Sequence, residues 1–159
     1  MEIRQATQAD LQALSSIIEH SPVREAEGVR LFFKAAEALG EREELWVVAQ
    51  PELRGAGLVK RYSPRGGYRF CAEVFLYILP SHRQNGWGLK VQEALLERAR
   101  RLEYHHVLAR VWGDDAASLA CFEKAGYERV GVQREIGWRE DGWVDMVVFQ
   151  KVLESTHPS

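Results

Sequence analysis

Cysteine is scarce in this chain of 159 residues. Cys71 and Cys121 stand alone, with no C-x-x-C spacing. That excludes a disulfide-held scaffold and a thiolate zinc site, and it fits a reducing compartment. Charge of one sign is lacking too. With 21 lysines and arginines against 23 aspartates and glutamates, the formal net charge is -2, so nucleic acid and acidic membranes are not expected partners. No apolar run approaches the roughly 20 residues that a membrane span takes. The opening MEIRQATQADLQAL is polar and charged and does not read as a signal peptide. His105-His106 has no carboxylate or cysteine at ligand spacing, so no metal is expected. What is there, 46% hydrophobic and 28% charged residues, is the composition of an ordinary globular protein. The expectation is one cytoplasmic domain over residues 1–153, with a frayed tail over 154–159.

The hydrophobic period orders the elements. MEIRQA alternates as a short strand, and Thr7 with Asp10 makes a capping-box start for a helix carrying Leu11, Leu14, Ile17 and Ile18. A second helix is expected over 25–39, with Val29, Phe32, Phe33, Ala36 and Leu39 facing inward and Gly40 as its stop. Strands follow over 45–49, 55–62 and 68–79, then an amphipathic helix with Val91, Leu95, Ala99 and Leu102 on one face. The strand HHVLARVW leads to a helix capped by Asp114 or Asp115 and stopped by Gly126. Two closing strands flank Glu140-Asp141-Gly142, a hairpin signal. The order predicts an α/β fold with a mixed sheet and helices on its faces.

One stretch resists the propensity rules. The helix after the third of these strands opens with Gly86 and Gly88 around Trp87, although glycine costs a helix about 1 kcal/mol relative to alanine. Glycines at a helix start let an anion approach the unpaired N–H groups of the first turn. GWGLKV fails the P-loop pattern, and Val91 stands where a dinucleotide fingerprint needs its third glycine. Arg83-Gln84-Asn85-Gly86-Trp87-Gly88 meets the [QR]-x-x-G-x-[GA] pattern of acyl-CoA-binding acetyltransferases. A loop whose glycines relieve crowding is the plainer alternative.

From about Ser63 to Lys151 the chain resembles the GNAT superfamily of N-acetyltransferases, in the branch that includes phosphinothricin acetyltransferase. The resemblance rests on SPRGGYRFCAE, LYILPSHRQNGWG, GDDAASLACFEKAGY and VGVQREIGWREDGWVDMVVFQ, in order and at matching separations. It implies a GNAT-like, mainly antiparallel sheet with a splayed central strand pair and helices on both faces. It also implies acetyl-CoA as acetyl donor, a small amine as acceptor, and a homodimer. Carried over by position, Leu76, Tyr77 and Ile78 would pair with pantetheine, and Arg83, Gln84, Asn85, Gly86, Trp87, Gly88 and Leu89 would cradle pyrophosphate. Trp87 is not explained by the motif and is expected to pack on its helix. Asp115 stands where the superfamily often has asparagine. Phe122 stands where a tyrosine or histidine commonly donates a proton to the leaving thiolate.

Glu73 is the candidate base. It is a carboxylate in an apolar and aromatic strand, and it matches the glutamate of the branch's A-E pair. A carboxylate buried there is costly unless used or paired, and burial is how proteins turn one into a base useful near neutrality. A structural bond to an arginine such as Arg69 is the alternative. Oxyanion support would come from backbone N–H. Phe122 has no proton to give, which leaves water, Cys121 or Tyr127. The branch's S-T-A-x-F segment has no counterpart here. Arg24, Arg30 and Lys34 are candidates for an acceptor carboxylate or members of a solvated face, and Asp145 is a candidate for holding an amino group. The function expected is transfer of acetyl to a small amino-acid-like amine. The alternatives are an acyl-CoA-binding module with weak or no transfer and a peptide or protein N-terminal acetyltransferase.

Overall fold

The computed structural model describes residues 2–20, 30, 34, 37–49, 52–83, 85–139 and 142–154. Strand β1 (Glu2–Gln5) and helix α1 (Gln8–His20) precede β2 (Glu44–Ala49), β3 (Leu53–Arg61) and β4 (Cys71–Ile78). Helix α2 (Trp87–Arg101), β5 (His106–Trp112), α3 (Ala116–Lys124), β6 (Glu128–Arg139) and β7 (Gly142–Val152) follow. The strands form one seven-stranded sheet in the order β1-β2-β3-β4-β5-β7-β6. Every neighbouring pair is antiparallel except β4 and β5. The mixed, mainly antiparallel sheet expected from the sequence is present.

Strand alternation sorts the core onto two faces. Ala72, Val74 and Ile78 of β4 and Val107, Ala109 and Val111 of β5 pack with Trp87, Val91, Leu95 and Ala99 of α2 and Phe122 of α3. On the other face, Leu14 of α1 packs with Leu45, Val47, Ala56, Leu58 and Tyr77. Glu44 fixes the far end of α2 to β2: its buried carboxylate accepts from Arg98 Nη2 at 2.8 Å and from Trp46 Nε1 at 2.9 Å. Among the described residues no helix is long and apolar enough to cross a membrane.

Two expectations change and one open choice is decided. Strand β4 begins at Cys71 rather than residue 68, because Gly66–Tyr68 close a 3-10 turn in which Tyr68 N–H donates to the Arg65 carbonyl at 3.0 Å. Leu39 is exposed rather than inward, lying past the last helical residue of its segment. Asp115, not Asp114, caps α3. Most of the helix expected over 25–39, the turn residues Glu140 and Asp141, and the tail 155–159 lie outside the described residues.

The start of α1 is the best-secured local feature. Thr7 donates to Asp10 Oδ2 from its N–H at 2.6 Å and from its hydroxyl at 3.0 Å. Arg4 adds a two-pronged contact at 2.7 and 3.1 Å. Burial pushes the Asp10 carboxyl up, but the Arg4 and Thr7 hydrogen bonds outweigh it and hold the group below its usual range. A carboxyl whose pKa is depressed on folding contributes stability above its unfolded value and loses it as pH falls through the folded value. Asp10→Asn should therefore cost about 1 kcal/mol at pH 7. In urea titrations the gap from the unsubstituted chain should close in acid. A gap that persists below the carboxylate range would contradict the account.

Candidate active site

The parallel pairing of β4 with β5 is brief. Its register runs Cys71↔His106, Ala72↔Val107 and Glu73↔Leu108, and stops. Beyond that point β4 stays paired with β3 as far as Gly55↔Ile78, and β5 with β7 as far as Trp112↔Met146. The sheet therefore opens into a V whose apex is at Glu73.

The inner edge of β4 can be assigned from its hydrogen bonds. The carbonyl of Cys71 accepts from Tyr62 N–H, and Leu79 N–H donates to Arg54, so odd positions face β3. The Phe70 carbonyl accepts from His106 N–H, so even positions face β5. Backbone groups of Val74, Leu76 and Ile78 consequently point into the V. An extended chain bearing amides can pair with such an edge as a strand would. At its open end Arg83 Nε donates to the Ile78 carbonyl at 2.8 Å. Tyr77, facing the other way, is buried under α1.

Helix α2 starts at the mouth of the V. Its N-cap is Gly86, at φ 78 and ψ 2 in the left-handed region, a residue with no side chain to cap the first turn. A Cβ at Gly86 would meet nothing within 4 Å, so glycine is there for its backbone conformation. Gly88 has a different reason. A Cβ there would lie 3.1 Å from Cys121 Sγ and 3.6 Å from Leu76 Cδ2, so the helix start sits tightly against α3 and β4. Trp87 is 7% exposed and packs in the core. Asn85 is exposed, Leu89 is half-buried, and Gln84 lies outside the described residues. The first-turn N–H groups of α2 and the inner edge of β4 make a donor set fitted to a pyrophosphate and an amide-bearing arm.

The residues of α3 divide between the two sides of the helix. Phe122 is 3% exposed and stacks on Phe149 with centroids 5.6 Å apart, with Tyr127 edge-on at 5.0 Å. The Tyr127 hydroxyl is buried with no hydrogen-bond partner among the described residues, and burial pushes its pKa far up. Cys121 faces Gly88, and burial pushes its thiol up to about 11. The Asp115 carboxylate accepts from Ser118 N–H at 3.1 Å and from its hydroxyl at 2.8 Å.

Glu73 sits at the apex with its side chain 8% exposed. Its partner is Arg110 rather than Arg69. Arg110 Nε donates to Oε2 at 2.9 Å and Nη2 to Oε1 at 2.8 Å. These bonds hold the guanidinium above its usual pKa. Arg69 instead donates to the Gly66 carbonyl and lies over the Phe70 ring. Asp145 is taken up by the β6 bulge, where it accepts the N–H of Glu135, a residue at φ 53. Arg30 and Lys34 are exposed, and Arg24 lies outside the described residues. Sequence reasoning missed Arg110, whose signal is a charged residue at the position of HVLARVW that shares a strand face with Leu108.

Comparison with known proteins places these features in a family. Residues 9–127 match the model described as the acetyltransferase (GNAT) family. An L-methionine sulfoximine/L-methionine sulfone acetyltransferase of Pseudomonas aeruginosa is 29% identical over 108 residues, 68% of this chain. The matched stretch spans 63% of that relative's length. A phosphinothricin N-acetyltransferase of Streptomyces viridochromogenes is 27% identical over 99% of this chain and 91% of its own. A crystal structure of a phosphinothricin acetyltransferase from Sinorhizobium meliloti in complex with acetyl-CoA superposes with TM-score 0.84. It is 21% identical, covering 99% of this chain and 92% of that one.

The two glycines should respond differently to alanine. Gly86→Ala should cost roughly 1–2 kcal/mol through the left-handed backbone alone, whatever stands at position 121. Gly88→Ala should cost about 1–3 kcal/mol by overpacking, and Cys121→Ala should relieve part of that loss. Chemical denaturation of the four variants, the Gly88→Ala/Cys121→Ala double included, reads the coupling. Additive losses at 88 and 121 would contradict the contact.

Proposed function

The chain belongs to the acetyltransferase (GNAT) family, and from that premise we propose that it is an acetyl-CoA-dependent N-acetyltransferase acting on the primary amine of a small amino-acid-like molecule. The observation that carries the reading is the V between β4 and β5, with a glycine-capped helix start at its mouth. The relatives named for methionine sulfoximine and phosphinothricin support the acceptor class.

When bound, acetyl-CoA supplies a thioester whose carbonyl carbon accepts the amine as the carbon–sulfur bond breaks. The chain's own groups do the rest. Leu76 and Ile78 hold the pantetheine arm by backbone, and the segment from Arg83 through Leu89 holds the pyrophosphate. An N–H on the inner edge of β4 meets the developing oxyanion, where a fixed dipole is most effective. Glu73 takes the amine proton. Because Arg110 engages both of its oxygens, that proton travels through a water on the remaining lone pairs. Phe122 is stacked in the core, so solvent protonates the departing thiolate. That same residue favours a second reading, a module that binds acyl-CoA with little transfer. Two free cysteines support a cytoplasmic setting. The exposed Val130, Val132, Ile136 and Trp138 on the edge strand β6 support a homodimer.

Free-thiol release over a panel of amines separates enzyme from binder. In Glu73→Gln, turnover should fall at least about tenfold, while acetyl-CoA still raises the melting temperature as in the unsubstituted chain. Unchanged turnover would overturn the base role. Light scattering should give about twice the chain mass, and Val132→Asp/Ile136→Asp should reduce it to one; a monomer before substitution would contradict the dimer.

A further inference from the structure

The Arg110 side chain is 46% exposed, although the carboxylate it grips is almost sealed. A guanidinium carries five N–H donors in a planar fork. Glu73 occupies the Nε/Nη2 edge, which leaves the Nη1/Nη2 edge, the geometry that grips a second carboxylate with two parallel bonds. Among the described residues no other acceptor is bonded to it.

Position gives that edge a purpose. Glu73 is the last β4 residue paired with β5, and Arg110 is the next β5 residue beyond Leu108 on the same face. The two side chains therefore straddle the apex of the V. They lie on the face opposite α2, whose N-terminus receives the donor. On the Glu73 face, the described apolar residues of α1 pack over β2, β3 and β4 and do not include β5 side chains. An acceptor reaching the apex opposite the donor meets Arg110 on arrival.

We propose that Arg110 binds the carboxylate of the acceptor, making the site selective for amines that also carry an acidic group. The inference rests on the transferase reading and names the group that recognises its acceptor. Glu73 fixes the plane of the fork and cancels its charge, so the acceptor's own ammonium is not driven off before it loses its proton. Arg110 is here a binding residue, and its effect belongs in the acceptor KM.

The test compares L-methionine sulfone with the same molecule lacking its carboxylate, 3-(methylsulfonyl)propylamine. The unsubstituted chain should favour the amino acid at least about tenfold in kcat/KM. Arg110→Gln should raise the amino-acid KM at least about tenfold, leave the decarboxylated amine's KM within about twofold, and leave acetyl-CoA's KM unchanged. Arg110→Lys, which keeps the charge but not the fork, should fall between. Unpairing Glu73 lowers kcat for both acceptors alike, so the readout is KM: an equal rise in KM for both acceptors, or equal use of both by the unsubstituted chain, would overturn the proposal. If Arg110→Gln does not fold, the unsubstituted chain's preference and the Arg110→Lys variant still decide. Acetyl-CoA binding without thiol release on any amine would instead overturn the transferase reading.

Discussion

The loss of pairing between β4 and β5 after Glu73↔Leu108 is the constraint on which the rest of the molecule depends. Each strand remains tied on its outer side, β4 to β3 and β5 to β7, so the sheet behaves as two halves joined at an apex. An unpaired backbone group removed from water costs about 1–3 kcal/mol, and a sheet that forgoes several pairings in its middle must recover that elsewhere. Here α2 packs on the β3–β4 half, with Val91 and Leu95 against Gly57, and shares one core with Val107, Ala109 and Val111 of β5. At the apex the Glu73–Arg110 pair crosses from one half to the other. Its charge is half in water, so it fixes geometry more than it adds stability.

The start of α2 is where cost and use meet. Gly86 takes a left-handed cap that itself offers the first-turn donors no side-chain partner, and Gly88 lets the helix lie against Cys121 and Leu76. Those two contacts bring the positive end of the helix dipole to the mouth of the V. The glycines that weaken the helix as a helix are what set it at the right place and distance. Of the alternatives at the level of sequence, crowding relief describes Gly88, while Gly86 provides the left-handed cap that the proposed anion site would use.

Local signals were readable and non-local ones were not. The Thr7–Asp10 cap, the Asp115 cap and the α2 stripe are patterns within four residues or one face. The last two take the expected form, and the first keeps the Asp10 arm of the capping box, on Thr7 N–H, while the Thr7 hydroxyl turns to the same carboxylate. The start of β4 is hidden in the sequence because aromatic residues continue upstream to Tyr68, while Gly66 and Gly67 close a turn there. An arginine partner for Glu73 is legible as an alternative, but not which one, since Arg69 is near in sequence and Arg110 is near in space, 37 residues away across a parallel register. Asp145 gave no hint of its task either, since the Glu135 bulge that it holds exists only once β6 and β7 have paired. Phe122 could be placed on its helix by spacing, but which side of α3 met the core depended on Phe149.

The central claim is that the inner edge of β4 and the first turn of α2 together receive acetyl-CoA by backbone hydrogen bonds. Hydrogen–deuterium exchange with and without acetyl-CoA tests it at those amides. Slowed exchange in peptides covering 74–79 and 86–91, with the β3-facing amides and α1 unchanged, is the predicted result. Binding that leaves both segments exchanging as before, or that protects some other part of the chain instead, would contradict it.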